Sequence, residues 1–256
     1  MPGSLRASLL AAAILFAGLW IAPALVLPRI LTRLAEAEGF ALELEGVRPA
    51  LPWGVTVART VVIRGAGRVA IDALVARMFL SGVRVEGSIA GGTLLLRTGG
   101  LTLREGLIRV QSLPLELLDG IAPGAIALRG AADGVYRFGA RETVEATVSR
   151  GAVVLHAPVA VELPFAQFII TAGREDDGTW RVDFADLRGP PLSGTARGQI
   201  GTEGQLALRV EISQLEEPAL SAFSLAELPI GPLPYSAKLG GTLAKPSFSR
   251  VSAEVP

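Results

Sequence analysis

The sequence contains no cysteine and a single histidine, His156, among its 256 residues. Without thiols there is no disulfide framework, no thiolate nucleophile and no cysteine-based zinc site. One imidazole does not make a histidine-rich metal centre. Lysine is nearly missing too, Lys238 and Lys245 being the only two. Positive charge is therefore carried by arginines scattered along the chain, as expected of solvated surface positions. The 24 basic and 24 acidic residues cancel, so there is no bulk attraction to nucleic acid. Aromatic residues are sparse at 5%, too few for a platform on which bases stack.

Hydrophobic residues, by contrast, make up 50% of the chain, which excludes a disordered tail and allows a sizeable core. The longest charge-free run is ASLLAAAILFAGLWIAPALVLP, from Ala7 to Pro28. About 20 apolar residues cross a bilayer core as a helix, so this run predicts a single transmembrane anchor. Trp20 suits an interface. The rival reading is a cleaved signal peptide, since Ala22-Pro23-Ala24 resembles a small-x-small cleavage site. The run outlasts an ordinary signal core, and cleavage there would strand Leu25-Val26-Leu27-Pro28 at the new terminus. Arg6 on one side and Arg29 and Arg33 on the other leave orientation undecided by charge. The short tail 1–6 is expected in the cytoplasm and the long remainder across the membrane. Residues 29–39, RILTRLAEAEG, read as a short juxtamembrane helix with Ile30, Leu31 and Leu34 on one side and Gly39 as its C-cap.

From Phe40 the hydrophobic period changes to two. Leu206-Ala207-Leu208-Arg209-Val210-Glu211-Ile212 alternates large apolar residues with small or charged ones, as do Trp180 to Phe184, Val83 to Glu86 and Val144 to Val148. Alternation predicts antiparallel strands with one dry face and one wet face. Turns are expected at Gly91-Gly92, Gly99-Gly100, Asp133-Gly134, Asp176-Asp177-Gly178 and Thr202-Glu203-Gly204. Their close spacing implies a meander. Leu113 to Leu118 and the stretch from Leu215 to Leu228 are short-helix candidates, and Ile230 to Tyr235 is too proline-rich for a central strand. The expected division is tail 1–6, anchor 7–28, helix 29–39 and one β domain over 40–256, with a softer division near Gly151.

Gly65-Ala66-Gly67-Arg68-Val69-Ala70 matches the spacing of a dinucleotide-binding turn. No later βαβ units accompany it, and a hairpin turn explains it better. His156 lies in an apparent strand without the partners that hydrolytic catalysis requires, and no G-x-S-x-G is present. Glu175-Asp176-Asp177 lacks the ligand spacing of a calcium loop. No catalytic, cofactor-binding or metal site is expected. The remaining candidate is an apolar groove or interface on the sheet, carried by Trp180, Val182, Phe184, Leu206, Leu208, Val210 and Ile212. Such a face needs a cover: a second sheet, a partner or lipid chains.

Two stretches carry a resemblance. One is the anchor followed by LPRILTRLAEAEGFALELEGVRPALPWGVTVARTVVIRG. The other is the closing LPYSAKLGGTLAKPSFSRV, with L-x-G-T-L-x-x-P. Together with LPLELL and ELPFAQFIITAG, the layout resembles the type II secretion system protein N family. Gly241-Thr242-Leu243-Ala244-Lys245-Pro246 is also similar to the repeat ends of AsmA-like proteins. The resemblance implies an inner-membrane anchor and an elongated, curved antiparallel β-sheet domain in the periplasm, with one or two short helices. The first expectation is a non-enzymatic secretion-system component that binds other secretion subunits. The alternative is an AsmA-like groove binding or transferring phospholipid for outer-membrane biogenesis. Neither family's function can be carried onto particular residues, because neither motif is catalytic.

Overall fold

The computed structural model describes residues 26–33, 35–36, 39–50, 53–64, 67–100, 104–118, 126–155, 161–217, 219–225, 232–242 and 245–250. Among these residues the fold is mainly β, with fifteen strands in antiparallel pairing and few helices. Two compact units divide at Gly106/Leu107. Gly151, where a softer division was expected, lies inside a strand.

The first unit holds β1 (Ala41–Glu45), β2 (Arg48–Ala50), β3 (Gly54–Arg64), β4 (Gly67–Phe79), β5 (Gly82–Ile89) and β6 (Gly92–Thr98). Strands β1 and β2 both pair with β3, and β4, β5 and β6 follow in chain order. Ahead of them, residues 26–33 and 35–36 are helical, so Pro28 lies within helical chain. The Gly39 amide donates to the Glu36 carbonyl at 3.0 Å and the Phe40 amide to the Ala35 carbonyl at 2.8 Å. With Gly39 at φ +77°, this is the paired-bond helix ending that favours glycine at the left-handed position. Val55, Val57, Leu74, Ala76 and Val85 are buried and give this unit its core.

The second unit begins with β7 (Gly106–Pro114) at the boundary. It continues through β8 (Ile126–Phe138), β9 (Thr143–Leu155), β10 (Val161–Arg174), β11 (Trp180–Arg188) and β12 (Leu192–Ile200). Then come β13 (Leu206–Leu215), β14 (Tyr235–Gly241) and β15 (Pro246–Arg250). Hydrogen-bonded neighbours follow chain order from β8 to β15, as expected of a meander. Leu115–Leu118 forms one 3-10 turn directly after Pro114, and Ala219–Leu225 forms a short helix, both inside the stretches where short helices were expected.

One expected turn changes. Asp133-Gly134 is not a turn but the middle of β8. The Asp133 carboxylate is used instead to accept the Ser112 amide at 2.9 Å, and Gly134 packs where a Cβ would lie 3.0 Å from the Glu145 carbonyl oxygen. The residues after the Gly65-Ala66-Gly67 motif are strand β4, antiparallel to β3 with Arg64 opposite Gly67, in keeping with the hairpin expected there. A dinucleotide site needs a helix N-terminus there, and this chain has a β-hairpin arm. No helix among the described residues is long and apolar enough to cross a membrane. The expected anchor lies outside the described residues as far as residue 25, and His156 lies outside them as well.

Candidate functional site

In an antiparallel pair, directly opposed residues put their side chains on the same face. In the second unit this rule traces one continuous apolar surface. Val144, Ala146 and Val148 of β9 lie opposite Ala172, Ile170 and Phe168 of β10. Those oppose Val182, Ala185 and Leu187 of β11, which in turn face Gly198, Ala196 and Gly194 of β12. Leu208, Val210 and Ile212 of β13 come next, then Leu239, Ala237 and Tyr235 of β14, and finally Phe248 of β15 opposite Leu239. The opposite face carries Glu145, Thr147, Thr171, Arg181, Thr195, Arg197, Arg209, Glu211 and Lys238. On that face Arg137–Glu145 at 2.6 Å and Arg129–Glu162 at 3.1 Å form exposed ion pairs, each worth about 1 kcal/mol or less.

Six of the seven residues expected to form a groove share the apolar surface: Trp180, Val182, Leu206, Leu208, Val210 and Ile212. Phe184 does not. The register of β11 slips between Val182 and Ala185, where it meets both β10 and β12. A β-bulge of this kind re-aims the residues after it. Phe184 lies opposite Thr171 on the polar face, with the Arg197 guanidinium carbon 5.9 Å from its ring centre. Ala185 occupies the apolar position instead, packed with Ala172 and Val182.

The surface is closed at one end and open in its middle. Toward the ends of β10 and β13, Leu163, Ile212, Leu215, Tyr235 and Ala237 form a buried cluster with Ala219 of the short helix. Ile212 is 3% exposed there. In the middle, Phe168, Leu187, Leu208, Val210, Leu239 and Phe248 are only half-buried. The floor between them is β12, whose apolar-face positions are the small residues Gly194, Ala196 and Gly198. Gly198 sits at φ +142°, and a Cβ there would meet the Ala207 carbonyl oxygen at 2.2 Å, so this strand presses against β13 as only glycine allows. The resulting cavity has a volume of about 180 Å³ and is lined by Phe168, Leu187, Leu192, Ala196, Val210, Leu239 and Phe248, among others. For comparison, an apolar cavity of roughly 150 Å³ stays dry and takes up benzene.

The other end carries aromatic rings and a polar rim. Tyr136 lies 6.1 Å from Phe138 and 6.3 Å from Trp180, centre to centre. The Tyr136 hydroxyl donates to Glu142 at 2.8 Å, and Arg174 reaches both Glu142 oxygens at 3.2 Å. Beyond them the β10–β11 turn holds the acidic run. Asp177 accepts the Thr179 amide at 2.8 Å, and this hydrogen bond holds its carboxyl below the usual aspartate range. Arg181 is held above its ordinary value by its hydrogen bond to Asp183 and by the charges of Asp183 and Glu175. Among the described residues no three histidine, aspartate or glutamate side chains gather to hold a metal ion.

Sequence reading missed the partners that complete the cavity: Phe168, Leu187, Leu192, Leu239 and Phe248. Their signal was weak because β12, LSGTARGQI, alternates small with polar residues and shows no hydrophobic period. Alternation in side-chain size at Gly194, Ala196 and Gly198 was the available cue. No protein-family model matches the chain, and no curated protein or solved structure is similar to it.

Proposed function

We propose that this chain is a non-enzymatic, membrane-tethered β protein whose second unit holds a lipid acyl chain on its apolar sheet face. This is the AsmA-like reading, with Ala7–Pro28 as the inner-membrane anchor and the β units in the periplasm. The observation that carries it is the half-open middle of that face: Val210, Leu239 and Phe248 stand on the core side of their strands yet stay half-buried over a floor of small residues. The lining offers almost no polar group, and a hydrocarbon chain asks for none. A peptide laid across it would bring amides and carbonyls without partners, each costly to bury.

The test is photo-crosslinking of the purified full chain with a phospholipid bearing a photoreactive acyl chain, followed by mapping of the labelled peptides. Label is expected on β10, β13 and β14, and Ala196→Trp, which fills the floor, should remove it while circular dichroism stays unchanged. Label that is absent, or that persists undiminished in the variant, would overturn the reading.

A second reading, a type II secretion component acting by protein–protein contact, is favoured by a different feature. Among the described residues strand β15 pairs only with β14, so its outer edge there offers main-chain groups to an added strand. A strain lacking the gene separates the two. Exoproteins trapped in the periplasm behind an intact outer membrane support the secretion reading. Normal secretion with altered outer-membrane lipid supports the groove.

A further inference from the structure

We propose that the β4–β5 hairpin end of the first unit is a docking tip for an anionic bilayer surface, separate from the apolar face of the second unit. Three large apolar side chains are left in solvent there: Trp53 at 50%, Phe79 at 41% and Leu80 at 95% exposure. They lie at one end of the sheet. Phe79 opposes Gly82 across the hairpin, and the Met78 amide donates to the Trp53 carbonyl at 3.0 Å. Soluble surfaces scatter such residues singly, whereas an exposed group marks a contact. Tryptophan and phenylalanine suit the headgroup level of a bilayer.

The charges beside the tip select the kind of surface. Arg77 of β4 lies directly opposite Arg84 of β5, which lies directly opposite Arg97 of β6. The row stands two residues in from the tip and on the face that Phe79 shares. All three are exposed. Arg48 is on the same face one step further in, since it opposes Thr56, two residues along β3 from the Gly54 that opposes Arg77. Against these four arginines stand Glu86, which accepts from Arg84 at 2.7 Å, and Glu105, whose carboxylate lies over Gly99, two residues past Arg97. Like charges directly opposed across strands repel, and a plane of phosphates removes that repulsion. A second cationic row, Arg197, Arg209 and Lys238, crosses the second unit in mid-strand. It stands beside Glu211 and Asp186, both opposite Thr195 on that face, and the exposed Trp53, Phe79 and Leu80 belong to the other unit. A basic cluster beside exposed aromatic and aliphatic side chains has the chemistry of an anionic membrane surface.

The experiment uses the full chain with Trp20→Phe and Trp180→Phe, so that Trp53 is the sole fluorophore. It is reconstituted into vesicles of zwitterionic phospholipid with brominated acyl chains, with or without added phosphatidylglycerol. Trp53 quenching is expected in the anionic vesicles, much reduced in the zwitterionic ones and released by high salt. Each arginine of the row changed to glutamine should lower the docked-to-free ratio about fivefold, and Leu80→Asp should abolish quenching with the circular dichroism spectrum unchanged. Trp53 left unquenched in both vesicles, or quenched equally in the arginine and Leu80 variants, would overturn the proposal. Acyl-chain labelling of the second unit is an independent readout, so failure of one assignment leaves the other standing.

Discussion

Ile212 and Val210 stand two residues apart on β13 and point to the same side of the sheet. Truncating each to alanine separates a closed core from an open trough. Ile212 is 3% exposed and packed with Leu163, Leu215 and Tyr235. Removing its outer carbons should leave a cavity and cost about 2–5 kcal/mol. Val210 is half-buried and borders the cavity in the middle of the face. Two methyl groups fully buried would be worth about 1.6 kcal/mol, so half-burial brings the expected loss to about 0.8 kcal/mol. No new void is enclosed, because the site already opens onto the trough. With a urea dependence of about 2 kcal/mol per molar, the midpoints should fall by about 1–2.5 M for Ile212→Ala and about 0.4 M for Val210→Ala. Trp180 emission, in a Trp20→Phe and Trp53→Phe background, reports unfolding of the second unit. Equal losses at the two positions would refute the reasoning. Two large losses would mean that Val210 is covered, and two small ones that the lower cluster is no core.

Three further outcomes follow from particular residues. Gly198→Ala should destabilise by about 1–3 kcal/mol in the same urea titration, because it forces a side chain onto φ +142° and against the Ala207 carbonyl. Leu187→Ser should weaken acyl-chain labelling, whereas Phe184→Ser should leave it unchanged, since Leu187 lines the cavity and the bulge puts Phe184 on the polar face; equal effects would contradict the register. Asp177 should titrate below the ordinary aspartate value of about 3.9 when followed by NMR, because its charged form accepts the Thr179 amide. Its folded-state pKa being depressed, the turn gains stability above the unfolded value and loses it as pH falls through the folded one. Asp177→Asn should remove that acid-side dependence of the Thr179 amide shift.

The period of two in Leu206 to Ile212 and in Val144 to Val148 was enough to establish a mainly β chain, its antiparallel sense and which side of each regular strand is apolar. That information is local: in a strand without irregularities, successive side chains alternate by geometry alone. The short helices and most turns were legible for the same reason, since proline and glycine act on their own backbone. Tertiary structure decided the rest. Asp133-Gly134 reads as a turn in isolation and becomes mid-strand because neighbours on both sides supply its pairing and Ser112 takes its carboxylate. Phe184 changes face because a register slip against β10 and β12 shifts its phase, and no periodicity within β11 records where its partners slip. The cavity over Gly194 and Ala196 is a difference in height between neighbouring strands. It exists only when β12 lies between Phe168 and Leu187 on one side and Val210, Leu239 and Phe248 on the other. In the sequence those residues are up to 80 positions apart, from Phe168 to Phe248, and only pairing brings them to one floor.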